Sequence, residues 1–209
     1  MAAAPRWTRL EHDERREQIL TAARRLFSQC PPGSVSTTDI AREAGVARGL
    51  LHHYFGTKRE LYLEVMRSVL RHPPLPEPEP GGDGPALLAD AIDRWLTNVE
   101  RNRETWIAAH GAQGLGRDPE VEALLEDSRE QAIDRLVGVL ALERPGPALR
   151  PLLRAYAAFA ETASLEWLVR RRLTREQVHE LLLSSLLTLV RAVLPGVEDL
   201  HPHHRSPTP

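Results

Sequence analysis

Residues 48–58, RGLLHHYFGTK, bring an unusual set of polar groups into a short stretch. A guanidinium (Arg48), two imidazoles (His52 and His53), a phenol (Tyr54) and the chain's single lysine (Lys58) lie there together. No serine or cysteine nucleophile stands beside them. Adjacent side chains on a helix point about 100° apart, so His52 and His53 do not chelate one metal. A polar surface of this kind is poor for packing and suited to a polar groove. Arg48 has the matching chemistry, because a guanidinium pairs bidentately with guanine; contact with a phosphate alone is its alternative role. Gly49 costs a helix roughly 1 kcal/mol relative to alanine, which is explained if a bare backbone must come close to that groove.

The neighbouring sequence holds this stretch in place. Ser36 followed by Asp39 is a capping box, so a helix starts there, with Ile40, Ala41 and Ala44 on its small apolar face. Gly45 suits the left-handed residue that ends a helix, and Val46 anchors the turn. A second helix runs from about Ala47 to Tyr54, and only Leu51 and the following Phe55 fall where a core wants them. A preceding helix, about Asp13–Gln29, carries Ile19, Ala22, Ala23, Leu26 and Phe27 at helical spacing, and Pro31-Pro32-Gly33 ends it. Three helices with a tight turn before the third describe a helix-turn-helix whose last helix enters the DNA major groove.

REQILTAARRLF (16–27), TTDIAREAGVARG (37–49) and LLHHYFGTKRELYLEVM (50–66) together resemble the tetracycline-repressor (TetR) family of transcriptional regulators. The resemblance covers roughly fifty residues; beyond them the chain matches only in length and helical character. It implies that Thr37 and the free N–H groups at its helix start hold a phosphate, that Lys58 does the same one helix later, and that Tyr54 reaches a phosphate. Thr38, Ala47 and His53 complete the DNA-facing set. His52 stands where the family more often has tyrosine. Leu50 either meets a thymine methyl or packs inward.

The rest of the chain reads as helices, giving an all-α fold of about nine. One starts at Thr57 with Glu60 as its capping partner; Leu61, Tyr62, Val65, Met66, Val69 and Leu70 make its apolar face wider than a three-helix head needs. HPPLPEPEPGGDGP (72–85) is a linker. Further helices are expected over 86–101, 103–113, from Asp118-Pro119 to about 142, 148–171, and 175–194, the last opened by Thr174 and Gln177 and stopped at Pro195-Gly196. The expected division is a DNA-binding domain over 1–58, ordered from about residue 13 after a loose arm, a helical effector-binding and dimerisation domain over 59–196, and a disordered tail over 197–209.

The family resemblance implies a homodimer on a palindromic operator, released by a small-molecule effector. For the effector pocket the candidates are Tyr62, Met66, Trp95, Trp106, His110, Tyr156, Phe159, Thr162, Glu166 and Trp167, aromatic or polar residues on apolar helices. Few buried charges point to an apolar or amphipathic effector. Leu182, Ser185, Leu186, Leu189, Val190 and Val193 (with Leu181) form a stripe suited either to an internal core or to a four-helix dimer interface. Activation of transcription, or regulation without a ligand, is the alternative function.

Composition agrees. Apolar content of 42% excludes a disordered chain. The sequence shows no secretory leader, and no apolar run approaches the eighteen or so residues of a membrane span. The lone Cys30 makes no internal disulfide, which fits the cytoplasm. Residues 1–70 hold 11 Lys+Arg against 8 Asp+Glu, while the remainder holds 16 against 21. A mildly basic head on an acidic body suits contact with phosphates. No catalytic signature (G-x-S-x-G, P-loop, H-E-x-x-H) is present, no cofactor or resident metal is implied, and the tail histidines His201, His203 and His204 are read as solvated.

Overall fold

Every residue from Arg6 to Gln29 lies in one helix, α1. The computed structural model describes residues 6–70, 84–110, 118–140, 142 and 146–200. The 72–83 part of the linker and the histidine tail fall outside the described residues. So do the glycines at 111, 114 and 116. α1 begins well before Asp13, which corrects the expected loose arm. Pro5 is the last residue there that resists helical geometry, and nothing from Arg6 onward interrupts the run.

Eight helices precede one long C-terminal helix, and no strand occurs among the described residues. After α1 come α2 (Thr37–Glu43), α3 (Arg48–Phe55), α4 (Lys58–Leu70), α5 (Gly84–Arg101), α6 (Arg103–His110), α7 (Pro119–Leu140) and α8 (Leu149–Leu168). α9 (Arg175–Thr188) runs through a π-helical turn, Leu189–Val193, into α10 (Leu194–Asp199). Pro195-Gly196 therefore does not end the helix. The Leu194 N–H bonds back to Leu189 C=O in the wide π pattern, so the proline follows a turn whose bonding has already shifted.

The chain's contacts fall into two units. The first comprises residues 1–71 and 98–126. Its core is Ile19, Ala23 and Phe27 of α1, Ile40, Leu51, and Leu61, Val65 and Met66 of α4. Leu20 belongs to it as well, and Phe27 meets Tyr62 edge-to-face, with ring centroids 5.3 Å apart. The breadth of α4's apolar face now has a cause, because α6 packs on α1 in the same unit. The Thr105 hydroxyl donates to Phe27 C=O at 3.0 Å, and Asn98 Nδ2 donates to Val69 C=O at 2.9 Å. α4 thus groups with α1–α3, whereas the boundary expected from the sequence falls between residues 58 and 59, one residue into this helix.

The second unit, residues 72–97 and 127–209, is built on Leu88, Ile92 and Leu96 of α5, Ile133 of α7, Leu149, Leu153 and Tyr156 of α8, and Val178, Leu182 and Leu186 of α9. Arg129 forms a fork with Glu161 at 2.6 and 2.9 Å, and Arg150 bridges Asp134 and Glu130 at 2.7 Å each, joining α7 to α8. The Glu198 carboxylate accepts from Ala148 N–H at 2.9 Å, so α10 caps the start of α8.

Candidate nucleic-acid interface

The groove-facing segment is fixed by two capping boxes and a glycine turn. Ser36 Oγ accepts from Asp39 N–H at 3.1 Å, and Ser36 N–H donates to Asp39 Oδ2 at 3.2 Å. Hydrogen bonds from Ser36, and secondarily the Arg42 charge, hold the Asp39 carboxyl below its usual range. At the other end of α2, Gly45 takes φ +65°; its N–H donates to Arg42 C=O at 3.2 Å and Val46 N–H to Ala41 C=O at 3.0 Å. This is a Schellman turn, and it sets the angle between α2 and α3.

α3 turns Leu51 and Phe55 inward and leaves the others outward. Leu51 and Phe55 are buried, whereas Arg48, Gly49, His52 and His53 are exposed and Tyr54 is half-buried. Leu50 stays 37% exposed, so inward packing does not consume it. A Cβ added to Gly49 meets nothing within 4 Å. Among the described residues nothing requires a glycine there. Thr37 is half-buried at the first turn of α2, with Thr38 and Ala47 exposed nearby.

His52 lies with Nδ1 2.8 Å from Gly56 C=O. A carbonyl only accepts, so Nδ1 is the donor in this contact. Gly56 has φ +66°, and a Cβ there would run into the Glu60 carboxylate. That carboxylate accepts from Thr57 N–H at 2.7 Å while Glu60 N–H donates to Thr57 Oγ1 at 3.1 Å, the expected second capping box. It holds the Glu60 carboxyl below its usual range, chiefly through the Thr57 bonds. Lys58, half-buried, opens α4 at this point.

Side chains from outside the motif brace it. Arg16 of α1 lies over the Phe55 ring at 5.0 Å and donates to Glu64 at 3.2 Å. His12 of α1 meets the Tyr54 ring at 4.6 Å. Neither residue figured among the sequence candidates. The signal was present, since 12, 16, 19 and 23 continue the buried stripe of α1 at helical spacing.

The pocket and interface candidates are spread over both units. In the first, Tyr62, Met66 and Trp106 are buried and His110 stacks on Trp106 at 4.0 Å. Burial pushes the Tyr62 phenol up to about 12, with a smaller contribution from the Asp118 charge. In the second, Trp95 and Trp167 are half-buried against the core, and buried Tyr156 donates its hydroxyl to Leu182 C=O at 2.9 Å. Phe159 (39% exposed) and Thr162 face outward on α8, and Glu166 pairs with Arg170. Of the interface stripe, Leu182 and Leu186 are consumed by the unit's own core. Ser185, Leu189 and Val190 are half-buried, and Val193 and Leu181 are 43% and 38% exposed.

The third helix of this helix-turn-helix presents a guanidinium, imidazoles and a bare glycine backbone outward, beside two helix starts; the geometry is that of a DNA-binding regulatory protein. Two family models match the chain: "Bacterial regulatory proteins, tetR family" over residues 19–65, and "Tetracyclin repressor-like, C-terminal domain" over residues 86–189. The chain belongs to the TetR family of transcriptional regulators.

Among relatives, the HTH-type transcriptional regulator BetI of Agrobacterium fabrum is 49% identical over 57 residues, which cover 27% of this chain and 28% of that protein. BetI of Brucella anthropi is 46% identical over 57 residues, 27% of this chain and 29% of that protein. The chain thus matches little more than a quarter of the length of these curated relatives. Among solved structures, a tetR-family regulator from Streptomyces coelicolor superposes with a TM-score of 0.77 at 26% identity, covering 90% of this chain and 84% of that one. The multidrug binding protein EbrR, solved with ethidium, gives 0.58 at 25% identity, covering 80% and 96%.

Proposed function

We propose that this chain is a ligand-responsive transcriptional repressor that binds a palindromic operator as a homodimer in the cytoplasm. One observation carries the DNA-reading part. α3 buries Leu51 and Phe55 and leaves Arg48, Gly49, Leu50, His52 and His53 outward, and among the described residues no contact needs Gly49 to be small. Arg48 reads a guanine edge, and the Gly49 backbone comes close to the groove. Thr37, Tyr54 and Lys58 hold phosphates and fix the register.

Homodimerisation is supported by the C-terminal helix. Arg175–Asp199 is long and apolar enough by composition to cross a membrane, yet only 17% of its most apolar window is buried within the chain. That corrects the expectation that no segment reaches this length; Ser, Thr and one Arg interrupt the run in the sequence but not the helix. The exposed Leu181 and Val193, with Phe159 of α8, give a surface of the kind two copies bury as a four-helix bundle. The effector is an apolar or amphipathic small molecule. The multidrug binding protein EbrR, similar in fold and solved in complex with ethidium, supports a small-molecule ligand.

The test is a mobility shift with the DNA upstream of this gene and of its neighbour, with and without apolar effectors, beside in vitro transcription from the same promoter. The reading expects one shifted species of dimer stoichiometry, reduced transcription, and release by one effector class. Increased transcription on binding identifies an activator instead.

A further inference from the structure

We propose that His12 of α1 is a positioning residue for DNA binding, holding the Tyr54 phenol in the orientation in which it meets a phosphate. The inference rests on the DNA-reading function above and adds a residue outside the helix-turn-helix to it. Ala23, Ile19, Arg16 and His12 follow one another at spacings of four, three and four, so they lie along one face of α1. Ala23 and Ile19 are in the core, and Arg16 covers Phe55 at 5.0 Å. One turn further, His12 reaches Tyr54 at 4.6 Å with the ring planes 64° apart, and His53 at 6.4 Å with planes 76° apart. His53 itself meets Tyr54 at 5.3 Å and 76°.

Tyr54 therefore meets two imidazoles, one from its own helix and one from α1, in a three-ring cluster. Edge-to-face contacts at these distances are favourable beyond the area they bury. A phenol at the end of an exposed helix otherwise loses rotamer freedom when it binds, and a side chain already fixed loses less. Asp13 also lies near the His12 ring, at 3.9 Å between two exposed side chains, which is too loose to set its orientation.

The probe is a duplex that the wild-type chain selects from a randomised pool, with binding followed by fluorescence anisotropy over a salt series. His12→Ala weakens binding about three- to tenfold, the worth of one edge-to-face pair, and His12→Phe restores it to within about twofold. The salt slope of His12→Ala equals that of wild type, because no phosphate contact is removed. In a Tyr54→Ala background His12→Ala has no further effect. Wild-type affinity in His12→Ala, or an equal loss with and without Tyr54, overturns the proposal; so does a shallower salt slope, which makes His12 itself the phosphate contact. Arg48→Ala, measured alongside, separates the two claims. If no duplex is selected, the DNA-reading function fails; if Arg48→Ala weakens binding and His12→Ala does not, only the role of His12 fails.

Discussion

Arg59 and Asp118 form a two-pronged ion pair: Nη2 of the guanidinium lies 2.9 Å from Oδ1 and 3.0 Å from Oδ2, while Nη1 reaches Glu120 at 3.0 Å. The pair ties the start of α4, next to Lys58, to the start of α7. Asp118 has a second task, since its Oδ1 accepts from Glu120 N–H at 3.0 Å and caps α7. That backbone bond first, and Arg59 next, hold its carboxyl below the usual range.

Acid therefore weakens the first unit in a defined direction. Asp118, Asp39 and Glu60 all have folded-state values below their ordinary ones. The folded state binds fewer protons than the unfolded chain, so this stability is complete above the ordinary carboxylate range, about pH 4, and is lost as pH falls through it toward the folded values. Urea unfolding of wild type and Asp118→Asn checks this. Their midpoints differ most at neutral pH and converge on acidification; a gap that does not narrow contradicts it.

Phe27→Ala leaves a cavity at the centre of the first unit. Phe27 is 0% exposed and pairs with Tyr62 at 5.3 Å, so the expected cost is about 3–5 kcal/mol in chemical denaturation. A cost below about 1 kcal/mol contradicts the packing described.

What was legible in the sequence was local. Ser36/Asp39, Thr57/Glu60 and Thr174/Gln177 each give both halves of a capping box in four residues, and all three form. Gly45 ends α2 for the same short-range reason. What was not legible depends on partners far along the chain. Leu181 and Leu182 are adjacent leucines, yet one is 38% exposed and the other 1%, because a helix apolar on several sides does not declare which face the core takes. The helix through Pro195 needed a π turn that no residue type signals. His12 belongs to no motif, and only its place on the face of α1 that carries Ile19 and Ala23 marks it.

The outward face of α9 is tested by that same pair of leucines. Leu181→Glu leaves the helical fold intact and converts a dimer to monomer in sedimentation or mass-resolved light scattering. Leu182→Glu places a charge in the core and unfolds the second unit. A wild-type monomer at micromolar concentration, or a dimeric Leu181→Glu, contradicts the proposed interface.

Gly49→Ala should separate folding from binding. With nothing within 4 Å of the new Cβ, alanine stabilises α3 by about 0.5–1 kcal/mol. The same methyl intrudes where the backbone approaches DNA, so affinity falls. A gain in stability without loss of affinity means that the glycine serves no close approach.

The most direct test of DNA reading is the affinity of Arg48→Ala and Lys58→Ala for the selected duplex and for its single-base variants. Arg48→Ala should cost about 1–3 kcal/mol and erase discrimination at one guanine position. Lys58→Ala should weaken all duplexes alike and reduce the salt slope by about one per protomer. Wild-type affinity and discrimination in both variants would contradict the account that α3 reads DNA and α4 anchors it.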